Sequence, residues 1–355
     1  MQPVAVRILH PVARADAGPL EGWLAEARAR NAGRLVGLFA EAGAADVELI
    51  AERRDRLSFG ARLRALAAGL PPGTGLVVLG SGAIPLATRR DAAAFVAVAR
   101  SGEARALANN CYSADVLAIG RPDSLAAVPD LPGDNALPRW LEEVASFEVD
   151  DLRSRWRLSV DLDSPLDALL VDPGAVPPGT DTFVLRDSIT AVRALAADRR
   201  AELVVAGRTS ATTLGWLERS TASRTRALVE ERGLRASSRD AVGERAAELR
   251  RPPRSILGLA LDDRGPEALG SILGELGDGA IVDTRVLLAH RLGADESAWP
   301  RPEDRFASDL LLPDRVADPW LRAITVAAVA APIPILLGGH SLVGPGIRLV
   351  LGRRR

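Results

Sequence analysis

The sequence predicts an α/β protein: a Rossmann-like parallel or mixed sheet in the first half, then a second α/β domain. Three observations carry that reading. The stretch Gly75 to Thr88, GLVVLGSGAIPLAT, opens on an unbroken apolar run, Leu76 to Leu79, which breaks at Gly80-Ser81-Gly82. A strand that is apolar at every position is covered on both faces, as in sheets flanked by helices. Strand-like and helix-like segments alternate on either side of it, the pattern of a parallel sheet. The length, 355 residues, is also large for one hydrophobic core, so two domains are expected.

The elements follow in order. Val4 to Leu9 reads as a short strand stopped by His10-Pro11, because the residue before proline is pushed out of the α region. Pro19 to Ala44 has helical spacing, with Leu20, Trp23, Leu24 and Ala27 on one stripe and Leu35, Leu38 and Phe39 on the next. Asp46 to Ala51 is a second strand, Phe59 to Leu70 a second helix, and Leu76 to Leu79 the third strand. A helix over Asp91 to Arg100, strands at Ala104 to Asn110 and Asp115 to Ile119, and a helix over Pro138 to Ala145 come next. Arg157 to Asp161 reads as a strand. Ser164-Pro165 then starts a helix, with serine as N-cap and proline in the first turn. The linker is expected at Pro173 to Thr180, PGAVPPGT, which divides the chain into domains over 1–172 and 182–355.

The second half repeats the rhythm. Helices are expected at Thr190 to Ala197, after Ser210, at Pro266 to Leu276 and at Ala323 to Ala331. Strands are expected at Glu202 to Ala206, Ser255 to Leu261, within Ala280 to Ala289, and at Ile333 to Leu337. The polar, arginine-rich Ala236 to Pro253 is either an exposed helix or a connection.

Composition narrows the function. A net charge of −1 gives no whole-chain attraction for nucleic acid or anionic membrane, and the local basic runs at Arg250-Arg251 and Arg353 to Arg355 read as solvated surface. Lysine is absent, so binding of phosphate or carboxylate falls to arginine, to backbone N–H groups or to a metal. Cys111 is the single cysteine, which excludes an internal disulfide and a cysteine-based zinc site. The most apolar late stretch, Ile324 to Leu337, is broken by Pro332 and Pro334 and falls short of the ~20 residues that span a bilayer. A cytoplasmic, soluble protein is expected.

Candidate site residues sit where apolar strands end, the place where open α/β sheets bind ligands. Gly80, Ser81 and Gly82 follow the third strand. Asn109, Asn110, Tyr112, Ser113 and Asp115 gather polar groups suited to a sugar or base, and the same residue types also cap turns. Asp161, Asp163 and Asp167 offer carboxylates for Mg²⁺ or Mn²⁺, or else cap the helix that begins after them. Gly207-Arg208-Thr209-Ser210 before a helix is a candidate anion cradle; Arg219, Arg224 and Arg226, read as following on that helix, either extend it or form surface ion pairs. Asp283 and Arg285, read as two apart on one strand, are expected to face one side and to converge with Asp309 and His340 at the sheet end. His340 with a nearby carboxylate suits a general base. Gly339-His340-Ser341 is not a hydrolase nucleophile elbow, because Val343 stands where that turn needs glycine.

Three segments, Ala42 to Ala51, GLVVLGSGAIPL, and Leu158 to Val171 (LSVDLDSPLDALLV), resemble the nucleotidyltransferase branch of the GT-A fold, the group of the molybdenum-cofactor and phospholactate guanylyltransferases. The resemblance covers roughly residues 1–172. It implies nucleotide binding with a divalent metal. It also implies a glycine-rich triphosphate loop ending in arginine and lysine after the first strand, and a metal aspartate after Leu79. Here His10-Pro11-Val12-Ala13-Arg14 and Gly80-Ser81-Gly82 stand in those places. The expectation is therefore a divergent nucleotidyltransferase-like protein that binds a nucleotide or sugar-phosphate. Asp115, Asp283 and His340 are then the candidate catalytic groups; Gly80, Ser81, Gly82, Asn109, Asn110, Arg208 and Arg285 the binding groups; Asp161 and Asp163 the metal ligands. The alternative is a catalytically silent binding or scaffold protein that keeps the fold.

Overall fold

A computed structural model describes residues 2–52, 57–131, 133–231 and 253–352. The arginine-rich stretch, over 236–252, and the terminal Arg353 to Arg355 lie outside the described residues. Two compact units emerge, and both are α/β. The first holds residues 2–14 and 25–162, and the second holds 15–24, 163–231 and 253–352, each where described. The Pro173 to Thr180 stretch lies within the second unit. Among the described residues, no helix is long and apolar enough to cross a membrane.

The first unit is built on a mixed six-stranded sheet in the order β2-β1-β3-β5-β4-β6. Its strands are β1 (Val4–Pro11), β2 (Asp46–Glu52), β3 (Gly75–Gly80), β4 (Arg105–Ala108), β5 (Val116–Ile119) and β6 (Glu148–Asp151). β1 pairs in parallel with β2 and β3, whereas β5 runs antiparallel to both β3 and β4. Helices α1 (Pro19–Glu41), α2 (Phe59–Ala68), α3 (Arg89–Ala99) and α4 (Leu137–Glu143) complete the described elements over this stretch, apart from short 3₁₀ turns. Two clusters form the core. One joins Val6, Ile8, Val77 and Leu79 to Leu35, Phe39 and Phe95. The other joins Leu76, Val78, Leu117 and Ile119 to Leu63, Leu125, Leu137 and Trp140. Val77 and Leu79 fall in the first cluster and Leu76 and Val78 in the second, so β3 is covered on both faces, as its apolar run requires.

Two elements here differ from the sequence reading. Arg157 to Asp161 is not a strand: Trp156–Ser159 is a short 3₁₀ turn, and only a bridge between Asp161 and Ala83 continues it. The strand that does form is β6, whose EVDD sequence carries one apolar residue and gives no apolar alternation to read.

The second unit has a four-stranded, fully parallel sheet in the order β10-β9-β7-β8. The strands are β7 (Glu202–Gly207), β8 (Arg224–Val229), β9 (Gly279–Asp283) and β10 (Ile335–Gly338). The helices are α5 (Pro165–Val171), α6 (Phe183–Ala197), α7 (Ala211–Ser220), α8 (Ile256–Arg264), α9 (Leu269–Leu276), α10 (Thr284–Leu292), α11 (Pro302–Asp309), α12 (Pro319–Val329), α13 (His340–Val343) and α14 (Ile347–Leu351). Ser164 caps α5 in a capping box with Asp167.

Three readings are corrected in this unit. Ser255 to Leu261 is a helix, because a short apolar run does not distinguish a strand from a buried helix and Ser255 acts as an N-cap for Gly258. Arg224 and Arg226 belong to strand β8, not to the helix that carries Arg219. Asp283 ends β9 while Arg285 lies in the first turn of α10, so the two do not share a strand face.

Candidate functional site

The β3 to α3 connection is held in a strained shape. Ile84, fully buried, has φ +43°, in the left-handed region that a β-branched residue avoids. Two side chains of α1 fix this turn. Asn31 Nδ2 donates to the Ser81 and Ala83 carbonyls, each at 2.9 Å. Arg34 donates to the Ile84 and Ala87 carbonyls at 2.9 and 3.1 Å. Strain of this kind costs on the order of 1–3 kcal/mol and persists only where the surroundings over-determine it. It is grounds for looking for a ligand there.

A cavity of about 240 Å³ lies at this turn. Gly80, Ser81 and Gly82 line it, together with Asp115, Asp134 and Asp161, Arg28, and an apolar wall that includes Phe59 and Leu137. Five candidates from the sequence, Gly80, Ser81, Gly82, Asp115 and Asp161, therefore meet at the carboxyl ends of β1 and β3. Gly82 is glycine for a steric reason: a Cβ there would lie 2.9 Å from Asp161 Oδ1 and 3.2 Å from the Leu162 carbonyl. Gly80 differs, because a Cβ there would meet nothing within 4 Å. No packing contact demands glycine at 80; its missing side chain leaves the cavity open.

Sequence reasoning missed Arg28 and His10. Arg28 Nε donates to the Leu162 carbonyl at 2.7 Å, which holds the residue at the cavity. Its signal was positional: it is the arginine one turn before Asn31 on α1. His10 Nδ1 lies 3.0 Å from Ser81 Oγ. Burial, and then the charge of Arg28, lower the His10 pKa below its ordinary 6.5, so the ring is neutral at pH 7. In the sequence it marks the end of a strand and stands where the resemblance expects a triphosphate loop.

Asn109 and Asn110 do not line the cavity. Asn109 is fully buried and its amide is used internally: Nδ2 donates to Asp115 Oδ2 (2.8 Å) and to the Leu158 carbonyl (2.9 Å), and Oδ1 accepts from the amides of Asp115 and Val116. Asn109 thus positions Asp115. Asn110 Oδ1 accepts from the Tyr112 amide at 3.0 Å and caps the turn. Asp161 belongs to the first unit and Asp163 to the second. Among the described residues, no three His, Cys, Asp or Glu side chains gather to hold a metal ion. The cavity carboxylates do not form a cage, and Mg²⁺ bound there would take its remaining ligands from phosphate oxygens and water.

In the second unit, the expected residues gather at the carboxyl edge of the sheet, mostly in closed pairs. Arg208 clasps buried Asp283 with two bonds, at 2.6 and 3.1 Å. Burial raises the Asp283 pKa, but Arg208 outweighs it and holds the carboxyl below its usual range. Gly207, at φ +131°, allows this approach, because a Cβ there would lie 2.3 Å from Asp283 Cβ. Arg285 forms a second clasp with buried Asp309, at 2.6 Å twice. Asp309 opposes the burial cost on Arg285 and keeps its guanidinium charged. Asp167, fully enclosed, has its pKa pushed up to about 7 by burial and by the charge of Asp163. His340 Nδ1 lies 2.9 Å from the Arg208 carbonyl. A carbonyl only accepts, so Nδ1 carries the hydrogen. His290 donates from Nε2 to Asp262 (2.9 Å) and accepts the Ser255 amide at Nδ1 (3.0 Å), which joins α8 to α10.

Comparison with protein-family models, with curated proteins and with solved structures finds no match to this chain.

Proposed function

We propose that the first unit binds a phosphorylated small molecule, a nucleotide or sugar-phosphate, as a divergent nucleotidyltransferase-like domain of GT-A type. One observation carries the reading: a cavity at the carboxyl ends of β1 and β3 combines Arg28, three carboxylates and an apolar wall beside a strained turn. In a chain without lysine, Arg28 is a cationic side chain that lines this cavity and can meet a phosphate. Three carboxylates line the cavity beside Arg28, and such a lining suits a ligand that arrives with Mg²⁺ or Mn²⁺. The metal's role would be to neutralise phosphate charge, with Asp115 and Asp161 as its protein ligands.

The volume of about 240 Å³ lies under the ~300–1,000 Å³ of pockets for drug-sized ligands. That favours a sugar-phosphate over a whole nucleotide. Neutral His10, bonded to Ser81 Oγ, is placed to hold a proton from that hydroxyl. The single cysteine suits a cytoplasmic setting.

Thermal unfolding with a panel of sugar-phosphates and nucleotides, with and without Mg²⁺ or Mn²⁺, tests the reading. A ligand of the native state at 100 times its dissociation constant adds about 2.7 kcal/mol. The shift should vanish in Gly80→Val, which fills the open space. Absence of any shift across the panel would favour the alternative, a silent scaffold that keeps the fold.

A further inference from the structure

A second cavity, of about 200 Å³, lies wholly within the second unit, among helices α5, α6 and α14. One stripe of α6 lines it. Leu185, Arg186, Ile189, Thr190 and Arg193 stand three and four residues apart, which places them on one face of that helix. Leu169 and Leu170 of α5 and Leu349 of α14 close the apolar side.

Charge sets this cavity apart from the first. Its lining includes Arg186 and Arg193 but no aspartate or glutamate among the described residues. Each guanidinium is held by neutral oxygens. Arg186 donates from Nε to the Thr182 hydroxyl (3.0 Å) and from Nη2 to the Pro173 carbonyl (2.7 Å). Arg193 donates from Nε to the Val350 carbonyl and from Nη2 to the Leu349 carbonyl (3.1 Å). Among the described residues neither pairs with a carboxylate, and Nη1 of each makes no hydrogen bond. Arg208, Arg285 and Arg315 of the same unit are each paired with an acid. Two bonds fix each guanidinium in advance, so little conformational entropy is lost when it meets an anion. Thr190 adds no donor, because its hydroxyl donates to the Arg186 carbonyl at 2.8 Å.

We propose that this cavity is a binding site for a small monocarboxylate with an apolar body, of the short-chain fatty acid class. The chain of the acid lies against the leucines and Ile189. Seven residues of helix separate the arginines, about 10 Å along the axis, so the carboxylate pairs with one guanidinium rather than both. One Nη1 group matches the two oxygens of a carboxylate and leaves the third oxygen of a phosphate without a donor. The volume lies below the ~300–1,000 Å³ of pockets for drug-sized ligands, which selects a short chain.

Calorimetric titration of the full chain with hexanoate tests the proposal. Hexanol has the same chain without the charge, and butanoate the same charge on a shorter chain. Hexanoate should bind at least tenfold more tightly than hexanol, and each methylene added from butanoate to hexanoate should tighten binding about fourfold. Hexyl phosphate should bind no more tightly than hexanoate. In the double variant Arg186→Gln, Arg193→Gln, the preference for hexanoate over hexanol should disappear while the affinity for hexanol stays. A purely structural role for the arginines would instead weaken both ligands alike, and that result overturns the proposal. So does a failure of hexanoate to bind, a preference that survives in the double variant, or tenfold tighter binding of hexyl phosphate. None of these changes touches the first cavity, so each result stands whatever that cavity binds.

Discussion

The two sheets end differently. At the carboxyl edge of the first, charged groups border a cavity and a strained turn. At that of the second, Arg208 and Arg285 are each spent on a buried aspartate through two bonds. Both edges place polar residues just past apolar strands, so position alone marks the two alike. What separates them is that the first edge borders a cavity, whereas the second carries two arginine–aspartate clasps. A carboxylate clasped by arginine, as Asp283 is by Arg208, is silent as a base. Ser81, by contrast, lines open space and shares a hydrogen bond with a neutral imidazole.

The comparison breaks most sharply at the second edge. Asp309→Ala leaves the Arg285 guanidinium buried and unpaired, which should cost about 3–5 kcal/mol in urea unfolding. Replacing both partners by apolar residues of similar volume should recover most of that loss. An effect under about 1 kcal/mol for the single change would mean that water reaches the pair, and the two edges would then be more alike than described.

A smaller effect is expected at the first edge. Gly82→Ala forces Asp161 and Leu162 away from the turn and should cost about 1–3 kcal/mol while also distorting the cavity rim. Equal stability in wild type and variant would show that the 161–162 segment adjusts freely.

Asp167 supplies a pH test of similar size. Its folded pKa of about 7 stands above its unfolded value near 3.8, so between these values the unfolded state sheds its proton first. Stability should therefore be fullest below the unfolded value, decline as pH rises from about 4 to about 7, and stay level above that. Asp167→Asn removes the ionisation and should flatten this slope. His340 acts with the opposite pH sense: its folded pKa lies below 6.5, so its share is lost as pH falls beneath that value. A scan of unfolding free energy against pH in Asp167→Asn and in His340→Asn separates the two.

The fold was largely legible because β1, β2, β3, β7 and β10 carry apolar runs or alternation bounded by glycine, proline and acid. β6 and β8 were not, since EVDD and RTRALV place charges where edge strands meet solvent. In IVDTRVLLAH one apolar register continues across a change from strand to helix at Asp283, and periodicity alone does not mark the join. The glycine-serine-glycine turn was legible as a site, because a break after a buried strand is a local signal. Arg28 was not. It comes to the cavity from α1, far away in sequence, and only tertiary packing brings it there. Asn109 carried the right residue type for a ligand but the wrong surroundings, since its amide is used up on Asp115, Leu158 and Val116.

The smallest structural change gives the most direct test. Gly80→Val adds a side chain where the backbone has open space, so unfolding free energy should stay within about 0.5 kcal/mol of wild type. Calorimetric titration of both proteins with the sugar-phosphate that stabilises wild type most, in Mg²⁺, should then show binding to wild type and at least tenfold weaker binding to Gly80→Val. Equal affinity in the two proteins would contradict the account and place the ligand elsewhere.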